Sequence, residues 1–188
     1  MRVLPLIVWA AAVSLLVHAE TGKRDFTVYR DETYGFELIY PKSWIIIPPR
    51  MGDTRVKVAN SDRKSLEDCV VQTNTAAYYE KYDPQKFVAE MMRQQEKVVA
   101  GMQARFPGIV LQEGGKTYFG NDAAHYLVFD LPPMDQGSQV RITTIQVRTA
   151  KNGTRYTVSC GAPQTRFNKL RPMYNAIVKG FRIGPPAP

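Results

Sequence analysis

Two cysteines, Cys69 and Cys160, and the histidine His125 are the side chains of this 188-residue chain best suited to chemistry. A thiolate beside an imidazole can serve as nucleophile and base. Cys160 with His125 is therefore the candidate catalytic pair, and a hydrolase or transferase would use Cys160 or a carboxylate that no motif marks. In an oxidising compartment the same two cysteines predict one disulfide, Cys69–Cys160. The alternative is two buried thiols, since cysteine packs as a small hydrophobe. A metal site of the usual kind draws on several His or Cys side chains close together. Cys69, His125 and Cys160 are too sparse for one, so neither a metal nor a cofactor is expected. The chain has no G-x-S-x-G and no phosphate-binding glycine loop. Glu67-Asp68 and Asp31-Glu32 read as loop charges, because a glycosidase pair comes from separate strands. Tyr78, Tyr79 and Tyr82 read as rings packed over a helix start. These residues weigh against an enzyme.

The compartment in which that chemistry would run is set by the N-terminus. Arg2 begins it, Leu4 to Val17 is apolar, and Val17-His18-Ala19 puts small residues at the −3 and −1 positions before Glu20. This is the pattern of a secretory signal peptide, and it predicts cleavage after Ala19. An uncleaved anchor is the competing reading, although the apolar run is at the short limit for a span and His18 interrupts it. The expected organisation is a signal peptide at 1–19, one domain at 20–183 and a frayed tail at 184–188. Cleavage would leave no integral membrane segment and place the domain in the periplasm or outside the cell.

The net charge of +8 is unevenly distributed. From Gln136 to the end there is no Asp or Glu, while nine Lys and Arg residues occur. Arg148, Lys151, Arg155, Lys169, Lys179 and Arg182 are the candidates for a basic binding surface. Such a surface would suit an envelope protein or an anionic surface such as lipid headgroups or cell-wall polymer. Nucleic acid is not the expected partner outside the cytoplasm. The competing reading is a solvated face that keeps the protein soluble. A content of 44% hydrophobic and 22% charged residues suits a globular domain and not a disordered chain.

Strand-like alternation or β-branched runs mark residues 26–30, 34–40, 44–47, 56–59, 69–73, 109–111, 117–119, 123–129, 140–150 and 155–160. Gly114-Gly115 and Gly120-Asn121 read as turns. Asn152-Gly153 is the preferred centre of a type I′ hairpin, because both positions need positive φ. That turn pairs Ile145 with Cys160, Val147 with Val158 and Thr149 with Tyr156 on a core face, and sends Arg148 and Arg155 to the other. A helix is predicted from Asp83 and Pro84 to Phe106, on an apolar arc of Phe87, Val88, Met91, Met92, Val98, Val99, Met102 and Phe106. Gln95 falls inside that arc and needs a partner if buried. A second helix carries Phe167, Leu170, Met173, Tyr174, Ile177, Val178 and Phe181, with its start expected near Pro172. Strand meanders with two helices give an α+β pattern.

Two segments resemble the PsbP-like and DcrB-like family. One is Tyr34-Gly35-Phe36-Glu37-Leu38-Ile39-Tyr40-Pro41-Lys42-Ser43-Trp44. The other is Val158-Ser159-Cys160-Gly161-Ala162 followed by Phe167, Pro172 and Ile177-Val178-Lys179-Gly180-Phe181-Arg182; Gly180 stands where the family often has Ser. The resemblance implies an α/β/α sandwich with a central antiparallel sheet and two main helices. It implies little about function, because a fold hosts many. No metal-binding or photosystem-contact residue of the family maps onto this chain. The reading is an exported, non-enzymatic binding or accessory protein of the bacterial envelope. A structural subunit of a larger envelope assembly is the further alternative.

Overall fold

The computed structural model describes residues 25–49, 52–133 and 138–184. The predicted signal peptide at 1–19 and residues 185–188 lie outside them. Seven strands form the main antiparallel sheet: β3 (Trp44–Ile47), β4 (Thr54–Asn60), β5 (Asp68–Thr75), β6 (Val110–Phe119), β7 (Asp122–Leu131), β8 (Ile142–Lys151) and β9 (Thr154–Pro163), in the order β3-β4-β5-β9-β8-β7-β6. A smaller sheet joins β1 (Phe26–Asp31), β2 (Phe36–Pro41) and β10 (Arg182–Ile183) in the order β1-β2-β10. The helices are α1 (Ala77–Glu80), α2 (Pro84–Arg93), α3 (Gln95–Arg105) and α4 (Gln164–Gly180). The α+β sandwich expected from the sequence is the observed architecture.

The hairpin turn has Asn152 at φ 52° and Gly153 at φ 73°, the left-handed pair that a type I′ turn requires. The register follows as predicted, with Ile145 opposite Cys160, Val147 opposite Val158 and Thr149 opposite Tyr156. Val147, Val158, Cys160 and Ala162 are fully buried on the face that α4 covers. From α4, Phe167, Leu170, Met173, Tyr174, Ile177 and Val178 meet them. Each such side chain contributes about 1.5–3 kcal/mol of transfer free energy. The Tyr174 hydroxyl donates to the Gly161 carbonyl at 2.8 Å, which satisfies the one polar atom its ring brings into the core. The small sheet closes the same side through Phe36, Leu38 and Ile183.

On the other side α2 begins as predicted. Asp83 caps it, with Oδ1 accepting from the Lys86 amide at 2.8 Å, and Pro84 takes a first-turn position. The predicted single helix to Phe106 is broken, however. Gln94 leaves the helical region (φ −101°, ψ 9°), and α3 begins as a separate helix at Gln95. Phe87 and Val88 of α2 are buried, whereas α3 buries none of its residues fully and Phe106 remains 53% exposed. The apolar arc is therefore fully buried in its first half only, with Val98 and Met102 of α3 partly buried against a minor cluster.

Four further expectations are corrected. Residues 110–119 form one continuous strand, not two strands about a Gly114-Gly115 turn. Gly114 is there for clearance: a Cβ on it would stand 2.7 Å from Leu127 Cδ2 and 2.8 Å from Gln95 Oε1. Pro172 does not start α4 but sits inside it. The lost hydrogen bond is outweighed by burial of Phe167 and Leu170 in the preceding turns. Glu67 is no loop charge, since it is buried, ion-paired with Arg166 at 2.6 Å and hydrogen-bonded by Asn60 at 2.8 Å. Gly184, placed in the frayed tail, donates its amide to the Gly35 carbonyl at 2.8 Å.

Cys69 and Cys160 are bonded to each other across directly opposed positions of β5 and β9, with a sequence separation of 91. Closing a loop of that length stabilises by about 4–5 kcal/mol in the chain-entropy model, an upper figure. Thiol titration of the denatured, unreduced protein should find no free thiol, and a Cys69→Ala, Cys160→Ala variant should lose most of that stability in urea unfolding.

Candidate functional site

Strand parity separates the residues that chemistry would need together. Cys160 points into the α4 core, and its sulfur is held in the disulfide. His125 lies on β7 between Ala124, which faces α4, and Tyr126, so it faces the opposite layer. The Cys160–His125 pair considered from sequence is therefore not assembled. Among the described residues, no group of three or more His, Cys, Asp or Glu is placed to hold a metal ion.

His125 is fully buried and hydrogen-bonded to Gln95 Oε1 through Nε2 at 3.1 Å. An amide oxygen only accepts, so Nε2 carries the proton and Nδ1 is bare. Nδ1 has no hydrogen-bond partner among the described residues. Gln95 thus finds the partner that its place in an apolar arc demanded. Burial, and secondly the Arg148 charge, push the imidazole down to about 4.

The six basic candidates do not form one surface. Arg148 stands opposite His125 in the β7–β8 register, beneath α1 and α2. Its Nε and Nη2 are buried with no hydrogen-bond partner among the described residues. Burial, then the neighbouring Arg155, push its guanidinium down to about 10. Arg155 lies over the Tyr79 ring at 5.6 Å. Lys151 is tied to Asp122 at 2.9 Å. Lys169 and Lys179 are exposed on the outer side of α4, across the sheet from Arg148 and Arg155. Arg182 is exposed beside them, donating to the Lys179 carbonyl at 2.6 Å. The tyrosines behave as read from sequence in part: Tyr82 packs edge-on against Phe87 at the start of α2, while Tyr78 stays 53% exposed.

A feature the sequence reading missed is the uncovered half of the sheet. Because α2 lies over β6, β7 and β8, α3 over the Leu127–Phe129 end of β7, and α1 only over the start of β9, the face of β4, β5 and the Ser159 end of β9 is open. A groove of about 570 Å³ runs between α3 and the β4–β5 end, with Val70, Met102, Phe106, Ile109, Val140 and Ile142 in its lining. A second hollow of about 530 Å³, reaching Ile47 and Pro48, shares Lys57, Val70 and Ser159 with it. The signal was the weak amphipathicity of residues 95–105, whose apolar side chains are too few to cover a sheet.

The PsbP family model matches residues 24–183. The chain belongs to the PsbP family. The cyanobacterial PsbP (CyanoP) of Synechocystis sp. PCC 6803 has the same fold at 13% identity and a TM-score of 0.61, covering 87% of this chain and 95% of that one. LpqN of Mycobacterium tuberculosis, described as involved in cell envelope biogenesis, has 16% identity and a TM-score of 0.54, covering 87% and 92%. The Ran-binding protein Mog1p of Saccharomyces cerevisiae has 8% identity and a TM-score of 0.52, covering 85% and 96%. Among curated proteins none matches this chain in sequence. No helix among the described residues is long and apolar enough to cross a membrane.

His125 is neutral in the fold and protonated on unfolding below its ordinary value of about 6.5. Its contribution is complete above that pH and is lost as pH falls towards about 4, by roughly 3 kcal/mol at most. Urea unfolding across that window should show the loss, and His125→Gln should remove this part of the slope. Arg148→Met should leave stability unchanged or raise it by about 1 kcal/mol or more, because an unpaired buried charge is replaced by an apolar stem of similar length. A severe loss of stability in that variant would show that Arg148 is held by interactions of its own.

Proposed function

We propose that this PsbP-family member is an exported, non-catalytic accessory protein of the bacterial envelope that binds an anionic partner through the α4 side of the sandwich. Family membership supports an accessory role. The N-terminal pattern and the disulfide suit an oxidising compartment, and LpqN offers an envelope protein of the same fold. The observation that carries the anionic partner is the exposure of Lys169, Lys179 and Arg182. None of the three is in an ion pair among the described residues, and their segment of chain contains no acid. Lys169 and Lys179 are roughly 15 Å apart along the helix, a spacing that suits an extended anionic surface better than one small anion. Arg148 and Arg155 leave this proposal because both face the other layer, the first with Nε and Nη2 buried.

Co-sedimentation with phosphatidylglycerol vesicles should be salt-sensitive and should exceed that with neutral vesicles. Each cation near such a surface is worth about 1 kcal/mol, so Lys169→Glu, Lys179→Glu, Arg182→Glu together should weaken binding on the order of 100-fold. Arg155→Glu should not. Full binding by the triple variant would remove the α4 side as the contact.

The open groove favours a second reading, a subunit docked against an apolar segment of a larger assembly. Leu66, Phe106 and Val140 are large apolar residues exposed on its lining. Under that reading, Leu66→Asn with Phe106→Ser dissolves a stoichiometric complex in envelope extract and leaves vesicle binding intact. Asn suits the left-handed backbone of Leu66, φ 54°.

A further inference from the structure

A cleft of about 310 Å³ opens between the first turns of α4 and strands β6, β7 and β8. It shares no lining residue with the open groove, and neither Lys169 nor Lys179 is in its lining. Val128 and Phe167 are its apolar lining, and its polar lining is Gln112, Glu113, Asp130, Thr143, Gln164, Asn168 and Arg171. Asp130 is 4% exposed. It sits on the inward parity of β7 with Ala124 and Val128, in a layer whose other buried residues are apolar or threonine. Thr143 Oγ1 donates to its Oδ1 at 2.6 Å, and Gln112 Nε2 and Gln164 Nε2 both donate to its Oδ2 at 2.8 Å. All three donors are neutral. No Lys, Arg or His among the described residues is in an ion pair with Asp130. The one cation of the lining, Arg171, is engaged by Glu113.

The charge of the lining is thus one negative in excess, and the excess lies on a buried carboxylate. Its hydrogen bonding also has a direction. A carboxylate only accepts, so both glutamines turn their NH₂ groups to Asp130 and keep their amide oxygens as acceptors. A carboxylate has about four acceptor positions, and three are used. The cleft is therefore rich in acceptors, with its strongest donors already committed. An anion is repelled here, and a polyol would find few donors for its oxygens. A protonated amine brings three donors and no acceptor, and Val128 and Phe167 offer apolar surface to its carbon body. A bare divalent cation asks for six or more oxygens at close range, whereas Glu113 is held by Arg171.

We propose that this cleft binds a small organic ligand through a protonated primary amine, held by Asp130 and assisted by Glu113. The probe is n-butylammonium chloride, with 1-butanol, sodium butyrate and calcium chloride as comparisons. The readout is the side-chain amide NMR signals of Gln112, Gln164 and Asn168 in the isotope-labelled protein. Saturable shifts with butylammonium alone are expected. Asp130→Asn should weaken them about tenfold or more, as for loss of a charged hydrogen-bond partner. Glu113→Gln, at a half-exposed position that tolerates change, should weaken them several-fold by freeing the Arg171 charge. If Asp130→Asn does not fold, Glu113→Gln decides. The proposal is overturned by no saturable shift with butylammonium, by an equal response to 1-butanol, by saturation with calcium alone, or by unchanged binding in Glu113→Gln. Vesicle binding through α4 does not depend on this cleft, so either reading can fail without the other.

Discussion

The pleat of β9 is the constraint on which the remaining structure depends. This strand is hydrogen-bonded on both sides, to β5 and to β8, and lies inside the seven-stranded order. Its alternate residues go to opposite layers. Tyr156, Val158, Cys160 and Ala162 enter the α4 core, while Arg155, Thr157, Ser159 and Gly161 face the other way. The Asn152-Gly153 turn locks it against β8, and Cys69 opposite Cys160 locks it against β5. A slip of one residue would put Arg155 and Thr157 under α4 and drive Val158 into the open groove, so the register is specified by burial on one face alone.

From that parity follows the unequal cover of the sheet. The α4 side is closed by a long helix, by the small sheet and by the ring cluster of Phe36, Phe119 and Phe181, with centroids 5.4 Å and 4.7 Å from Phe181. The other side has α2 well seated and α3 resting on a minor cluster of Ile109, Leu127 and Phe129. An element with no fully buried residue contributes little to stability and separates from the sheet at low cost. Binding capacity on this side therefore arises from missing cover, whereas on the α4 side it arises from charge at the solvent surface and from the cleft at the helix start.

Much of the fold was legible because it rests on local chemistry. The hairpin follows from two residues that tolerate positive φ, its pairing follows from the turn, and the disulfide partners followed once both cysteines fell on strands. What was not legible depends on what lies opposite in space. Gly114-Gly115 looked like a turn because nothing in the sequence shows that Leu127 and Gln95 crowd that strand. Residues 84–106 looked like one helix because apolar residues recur at helical spacing on both sides of Gln94 and no Pro or Gly marks the break. The layer of each basic residue was hidden for a related reason. A count of nine cations in an acid-free segment says nothing about their layer, and that segment contributes three strands and a helix whose outer side faces away from Arg148. Asp130 did leave a signal, a charge at an inward position between apolar neighbours, visible only after the strand's parity is known.

The buried charges of this molecule illustrate three solutions to one cost, and the contrast locates its chemistry. Glu67 meets Arg166 as a counter-charge and Asn60 as a donor, so its site is complete within the fold. Asp130 is solvated by three neutral donors but keeps its charge uncompensated beside a cleft that can admit a cation. Arg148 has neither a counter-charge nor, at Nε and Nη2, a hydrogen bond, and it pushes the adjacent His125 further towards neutrality. A hydrogen-bonded charge facing open space is stabilised whenever an opposite charge arrives, and the cost of removing water from it has already been met in the fold. The covered Nε and Nη2 of Arg148 would gain from an anion only if α1 and α2 moved to admit it. The difference between the two is access, which makes the Asp130 cleft a site for recognition and the Arg148–His125 contact a weak point that acid exposes.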